Sequence, residues 1–281
     1  MKLPAADVAS GFTLVELVIV IALTGVVAVL ASTMVGDQML GYVDTTRRAA
    51  LVSKTDNALQ HLARDLRLAL PYSIRISGGN AIEWVPVQTW GRYRKLADSS
   101  EPAALDFSAP DDLFEVLYAS AMVTLPAGAR LVIGNTAAMG SAGVNVYGNV
   151  STGALVPAGS HVITPTSVSV GISGNNLTMS PAFQFALASV ASRFYVVTQA
   201  ASYICVGGAI QRYSGYAIQT SQPVSAPGGA TAALLLDGVS SCQFSYSALD
   251  AQHGQLVIAL QVQEQGETVT LTRVVNIENR P

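Results

Sequence analysis

The sequence predicts an α+β protein in which a long N-terminal helix, membrane-spanning in its first half, packs on an antiparallel β-sheet-rich globular head. Three observations carry this. Residues 12–31 are almost unbroken apolar sequence, and no proline occurs between Phe12 and Leu70. Beyond Pro71 the apolar residues recur at period two, between turn-forming glycines, asparagines and aspartates.

The N-terminal segment comes first. Residues 12–31 read FTLVELVIVIALTGVVAVLA, and as a helix they span about 30 Å, the thickness of a bilayer's hydrocarbon core. Glu16 is the one charged residue among them, and a carboxylate at that depth is costly unless it is neutralised or paired. Three readings compete. A secretory signal peptide would be cut after Val29-Leu30-Ala31, ahead of Ser32. That leaves Glu16 interrupting the apolar region and Lys2 balanced by Asp7 in the flank. An ordinary single-pass anchor explains neither Glu16 nor the sharp boundary at Gly11-Phe12.

The third reading rests on the string Gly11-Phe12-Thr13-Leu14-Val15-Glu16 in front of an apolar run. It closely resembles the cleavage and methylation motif of type IV prepilins and type II secretion pseudopilins. The resemblance implies a pilin-like fold and cleavage between Gly11 and Phe12 by a prepilin peptidase, with N-methylation of Phe12. It also implies that Glu16 pairs with the N-terminus of a neighbouring subunit. The pairing makes physical sense, because the amine at Phe12 lies one helical turn from Glu16, and a packed filament holds little water. The weak basic bias of residues 1–11 departs from the common pattern of such leaders.

On this reading residues 1–11 are the leader, 12–36 the transmembrane helix, 37–70 an amphipathic helix continuing into the head, and 71–281 a β-rich periplasmic domain. Leu51, Leu59, Leu62, Leu66 and Ala69 form a stripe at three- and four-residue steps, with a polar gap at Thr55. A continuous helix ending at Pro71 would be about 90 Å long. Gly25, Gly36 and Gly41 are its expected soft points.

Past Pro71, Ser73 to Ser77, the turn Gly78-Gly79-Asn80 and Ala81 to Val87 read as a β-hairpin. Asp111, Asp112 and Glu115, after Ser108-Ala-Pro, read as the cap of a short helix, in preference to a calcium site. The middle region supplies strands such as Ser167 to Ile172. Cys242 to Ser247, Leu256 to Val262 and Thr268 to Ile277 form an antiparallel meander with turns at Asp250–Gly254 and Glu264–Glu267.

Composition narrows the function. Apolar residues make up 50% of the chain and charged residues 12%, against ~25% charged in typical soluble domains. Residues 131–192 contain no Asp, Glu, Lys or Arg, which gives strands and loops a neutral surface. The net charge of −3 offers no basic footprint for nucleic acid. Trp90-Gly-Arg92-Tyr93-Arg94-Lys95 interleaves aromatics with cations, but a solvated turn after a strand explains it. Cys205 and Cys242 lack C-x-x-C spacing. In an oxidising compartment they form one disulfide; otherwise they are two buried thiols. His61, His161 and His253 lie far apart and read as surface or turn residues. No zincin, α/β-hydrolase or P-loop signature occurs, so no enzyme chemistry, cofactor or metal is expected.

A second resemblance touches most of the chain, least its uncharged middle, and is carried by C-terminal segments. Tyr203-Ile-Cys205, Gln211-Arg212-Tyr213-Ser-Gly-Tyr216, Cys242-Gln-Phe244-Ser-Tyr246 and Val274-Val-Asn276-Ile-Glu-Asn279-Arg-Pro281 look like segments of minor pilins of the mannose-sensitive haemagglutinin (MSHA) pilus, in the pseudopilin J-like group. These motifs are less specific than the N-terminal one. They imply a minor structural subunit acting at a filament tip, anchored in a bacterial inner membrane, with other pilin or pseudopilin subunits as partners. A type II secretion pseudopilin and a membrane-anchored adhesin using residues 131–192 are the alternatives.

Overall fold

The computed structural model describes residues 11–95, 103–119, 124–136, 145–148, 159, 161–249 and 252–280. The leader before Gly11 and the expected turn residue Asp250 lie outside them. The chain divides into two compact units, Met1–Ala50 and Leu51–Pro281.

Helix α1 spans Leu14–Arg67 and runs unbroken through Gly25, Gly36 and Gly41. Leu51, Ala58, Leu59, Leu62, Ala63 and Leu66 form its buried stripe. Thr55, the expected gap, is also fully buried, and its hydroxyl donates to the Leu51 carbonyl at 2.8 Å. That back-bond satisfies the polar atom and keeps the stripe continuous. The helix stops short of Leu70. Leu70 N–H donates to Val85 O at 2.8 Å and Val87 N–H to Leu68 O at 3.1 Å, so residues 68–70 leave the helix to pair with the next segment.

Fourteen strands follow among the described residues. The first seven are β1 (Arg75–Ser77), β2 (Ala81–Trp84), β3 (Val87–Tyr93), β4 (Asp111–Ala119), β5 (Arg130–Val132), β6 (Ser169–Ser173) and β7 (Asn176–Phe183). The rest are β8 (Arg193–Val197), β9 (Ala200–Val206), β10 (Ala209–Tyr216), β11 (Thr231–Asp237), β12 (Val239–Ala248), β13 (His253–Glu264) and β14 (Glu267–Glu278). They form three sheets, ordered β1-β2-β9-β10-β11, β12-β13-β14 and β5-β8-β3-β4-β7-β6. The expected hairpin is β1 and β2, paired Ile76 to Ile82, and the expected C-terminal meander is the three-stranded sheet. Gln265 and Gly266 join β13 to β14 with φ of 51° and 87°. Two successive positive φ values match the right-handed twist of the flanking strands.

Three apolar clusters hold these layers. The helix stripe packs on Ile82, Trp84 and Tyr203 from the first sheet and on Phe244, Leu256, Ile258, Leu260 and Val275 from the meander. The opposite face of the first sheet, with Ala81 and Ile204, covers Val132, Tyr147 and Ile163. Tyr93, Phe114, Phe183, Phe185 and Phe194 fill a third core on the six-stranded sheet.

Two expectations are corrected here. Asp111, Asp112 and Glu115 lie on β4, not at a helix cap. Asp111 accepts from the N–H groups of Asp106 and Leu113, and Asp106 accepts from Ser108, so the acids order a turn before a strand. Residues 90–93 belong to β3, between β4 and β8, rather than to a solvated turn. Tyr93 is fully buried there, and Arg94 pairs with Glu115.

The first two sheets are stitched along one seam. The Gly78-Gly79-Asn80 turn uses both: Asn80 O accepts from Cys205 N–H on β9 at 2.9 Å, and Gly79 O from Phe244 N–H on β12 at 2.7 Å. Beside it, Cys205 and Cys242 form a disulfide between β9 and β12. Asn279 fastens the chain end, accepting from Tyr72 N–H at 3.1 Å and donating to the Tyr246 hydroxyl at 2.7 Å.

Inside the head lies a buried ion pair. Arg75 and Glu83 face each other across β1 and β2, and both are sealed from solvent. The guanidinium also donates to the carbonyls of Thr220 (2.6 Å) and Gln219 (2.8 Å) and stacks 3.7 Å from the Tyr147 ring centroid. Tyr216 donates its hydroxyl to Glu83 at 3.0 Å. Burial pushes the Glu83 carboxyl above the usual carboxylate range, and Arg75 and Tyr216 pull it partly back.

Glu83→Ala strands the Arg75 charge, so the variant should lose about 3–5 kcal/mol of stability. Calorimetry should show this as a fall in Tm of about 10 °C for a domain of this size. A variant as stable as the parent would refute the role given to the pair.

The disulfide closes a loop of sequence separation 37. Its loss should cost about 4 kcal/mol on the chain-entropy account. Equal urea midpoints for the parent and a Cys205→Ala/Cys242→Ala variant would contradict that.

Candidate functional site

The elements that carry function at the N-terminus are a short non-helical lead and the first turns of α1. Gly11 and Phe12 precede the helix, both exposed, Phe12 at 79%. A Cβ added at Gly11 would meet nothing within 4 Å.

Thr13 is the N-cap. Its Oγ1 accepts from Glu16 N–H at 3.3 Å and its carbonyl from Leu17 N–H at 3.2 Å. These bonds satisfy two donors of the first turn. Glu16 lies in that turn, where the helix's positive end favours a carboxylate. Sequence reasoning missed the role of Thr13, although Thr-x-x-Glu before an apolar run is the spacing of a capping box. Thr13 thus fixes where α1 begins, directly after Phe12.

Leu14–Ser32 is long and apolar enough to cross a membrane, and none of it is buried by the protein itself. Its hydroxyls are internally satisfied: Thr24 donates to Val20 O at 2.6 Å and Ser32 to Val29 O at 2.9 Å. Such back-bonds remove the need for water at these positions. Glu16 therefore stands out as the one ionisable group in the segment.

The remaining candidate residues fall elsewhere. Cys205 and Cys242 are in the head, bonded to each other across the seam. His61 is exposed and His253 half-buried, whereas His161 is buried, contrary to the surface placement expected for all three. It is enclosed because its carbonyl accepts from Ala186 N–H at 2.9 Å, drawing residue 161 against the chain beside Phe185. Among the described residues no group of three His, Cys, Asp or Glu could hold a metal ion.

Residues 8–32 match the family described as the prokaryotic N-terminal methylation motif. No curated protein and no solved structure matches the chain. The match covers Gly11, Phe12, Thr13 and Glu16 and ends with the apolar segment at Ser32. It marks a type IV pilin-like N-terminus, to which the long helix and antiparallel head add a pilin-like α+β fold.

Proposed function

We propose that this protein is a minor structural subunit of a type IV filament of the MSHA pilus class, acting at the filament tip to begin assembly. The observation that carries the reading is the methylation motif set directly before an exposed apolar helix, with a lone carboxylate one turn in. A prepilin peptidase removes residues 1–11 and methylates the amine of Phe12. The helix anchors the subunit in the inner membrane, with the head on the periplasmic side, where a disulfide is chemically at home. In the filament, Glu16 pairs with a neighbour's N-terminal amine. The head of residues 71–281 is bulky for a unit repeated along a shaft, and a tip position leaves it room. The C-terminal segments that resemble MSHA minor pilins favour that class over a type II secretion pseudopilin.

Processing gives the first test. Intact-mass and N-terminal analysis of protein from its native membrane should find a chain starting at Phe12 and bearing one methyl group. A chain starting at Ser32 would establish a cleaved signal peptide instead.

Assembly gives the second. Glu16→Ala makes the helix more apolar, so membrane insertion should be unimpaired. Cleavage should also proceed, because the Gly11–Phe12 bond is untouched. Co-purification with the other minor pilins should fall at least tenfold at matched expression, because an amine in a poorly hydrated site has lost its partner. Undiminished recovery of the complex from correctly cleaved mutant would remove Glu16 from assembly. Recovery with secretion pseudopilins in place of pilins would move the subunit to that machinery.

A further inference from the structure

Arg130 opens β5, and its residue is 5% exposed. Its Nε donates to Thr164 O at 2.6 Å. No ion pair and no further hydrogen bond joins the Arg130 side chain to any described residue. Arg75, Arg94 and Arg212, also buried or half-buried, are answered by Glu83, Glu115 and Asp65. Among the described residues no acid answers Arg130, nor the half-buried Arg193, which donates instead to the Arg280 carbonyl. Burial alone pushes its guanidinium down to about 10, with no carboxylate opposing the shift. At neutral pH the group is still charged, and an unanswered charge taken out of water is costly.

That charge borders a cavity of about 560 Å³. Arg130 is one of the residues that line this cavity. Gln88, Thr166, Thr198 and Gln199 supply neutral hydrogen-bonding groups to the wall, and Ala217 and Ile218 an apolar surface. Among the described residues no acid lines the cavity.

We infer that this cavity is a binding site for a monosaccharide-sized carboxylate, an acidic sugar, whose carboxylate Arg130 receives. The guanidinium fork matches a carboxylate in two parallel hydrogen bonds. A single cation balances a monoanion, whereas a phosphate dianion would bring a second negative charge that no lining residue answers. Amide and hydroxyl groups suit the ring hydroxyls, and the apolar patch suits a sugar's C–H face. The volume falls in the range of small-ligand pockets, about 300–1,000 Å³. The site is independent of the assembly reading, because it lies wholly in the head and needs no second subunit.

The test uses the full-length protein in detergent micelles, titrated calorimetrically with sodium glucuronate, N-acetylneuraminate, glucose and inorganic phosphate. At least one of the two sugar acids should bind with one-to-one stoichiometry and raise Tm, and glucose should bind at least tenfold more weakly. Arg130→Met should weaken acid binding at least tenfold while its ligand-free Tm stays equal or rises, since an unanswered charge has gone. Gln199→Glu, at an exposed position, should also weaken binding at least tenfold by placing a like charge beside the carboxylate. The second variant decides the matter if the first fails to fold. Failure of both sugar acids to bind the parent overturns the proposal, as does equal binding by the variants. Binding of phosphate alone overturns the carboxylate assignment.

Discussion

The apolar stripe of α1 from Leu51 to Leu66 is the contact on which the head depends, because two sheets share it. The first sheet offers Ile82, Trp84 and Tyr203 to it, and the C-terminal meander offers Phe244, Leu256, Ile258 and Leu260. Residues of both sheets cover that face, and packing against a helix is one of the ways a small sheet gains independent stability. Polar contacts then fix the helix in register. Lys54 reaches Asp237 of the first sheet at 2.5 Å and Glu264 of the meander at 2.9 Å, and Asp56 meets Arg273 at 3.2 Å. Exposed pairs of this kind add little stability each. Asp65 is better placed, accepting from both the Tyr203 hydroxyl and Arg212 at 2.8 Å, beside the Trp84–Tyr203 stack.

With the helix seated, the boundary between the two sheets becomes the point that must not open. Both the Gly78–Asn80 turn and the disulfide act there, one through backbone hydrogen bonds and one through a covalent link. The Arg75–Glu83 pair works one layer deeper. It lies on the same hairpin, β1 and β2, and draws the 219–220 segment and Tyr147 onto it. A chain with so few charges spends two of them inside its core, which makes the surroundings of that hairpin sharply specified: any rearrangement would leave a buried charge unanswered.

Much of this was legible in the sequence, for physical reasons that differ by element. The apolar segment before Ser32 declares itself by its length and by holding a single charged residue, Glu16. The meander declares itself because β13 alternates buried and half-buried residues along almost its whole length. The acids at 111, 112 and 115 misled, because Asp after Ser and Pro suits a helix cap and a turn before a strand equally well. What decided it was the pairing of β4 with β3 and β7, partners far away in sequence. Trp90 to Tyr93 misled for a related reason: aromatics and cations in alternation look like a solvated patch until flanking strands are known to bury one side.

The sequence by itself determined the N-terminal motif. Gly11, Phe12 and Glu16 lie within a few residues of one another inside the matched segment 8–32, and local spacing is what one-dimensional information records best. It also fixed the helical stripe and the C-terminal hairpins, whose partners are neighbours along the chain. Only the tertiary structure decided which charges would be answered. Glu83 and Arg75 meet because β1 and β2 pair in one register, Asp65 meets Arg212 because the helix lies on the first sheet, and Arg130 meets no acid among the described residues because its strand carries it to a wall where none of them places one. Burial turns each of these from an ordinary surface charge into a constraint, and burial is a property of the packed chain rather than of any residue within it.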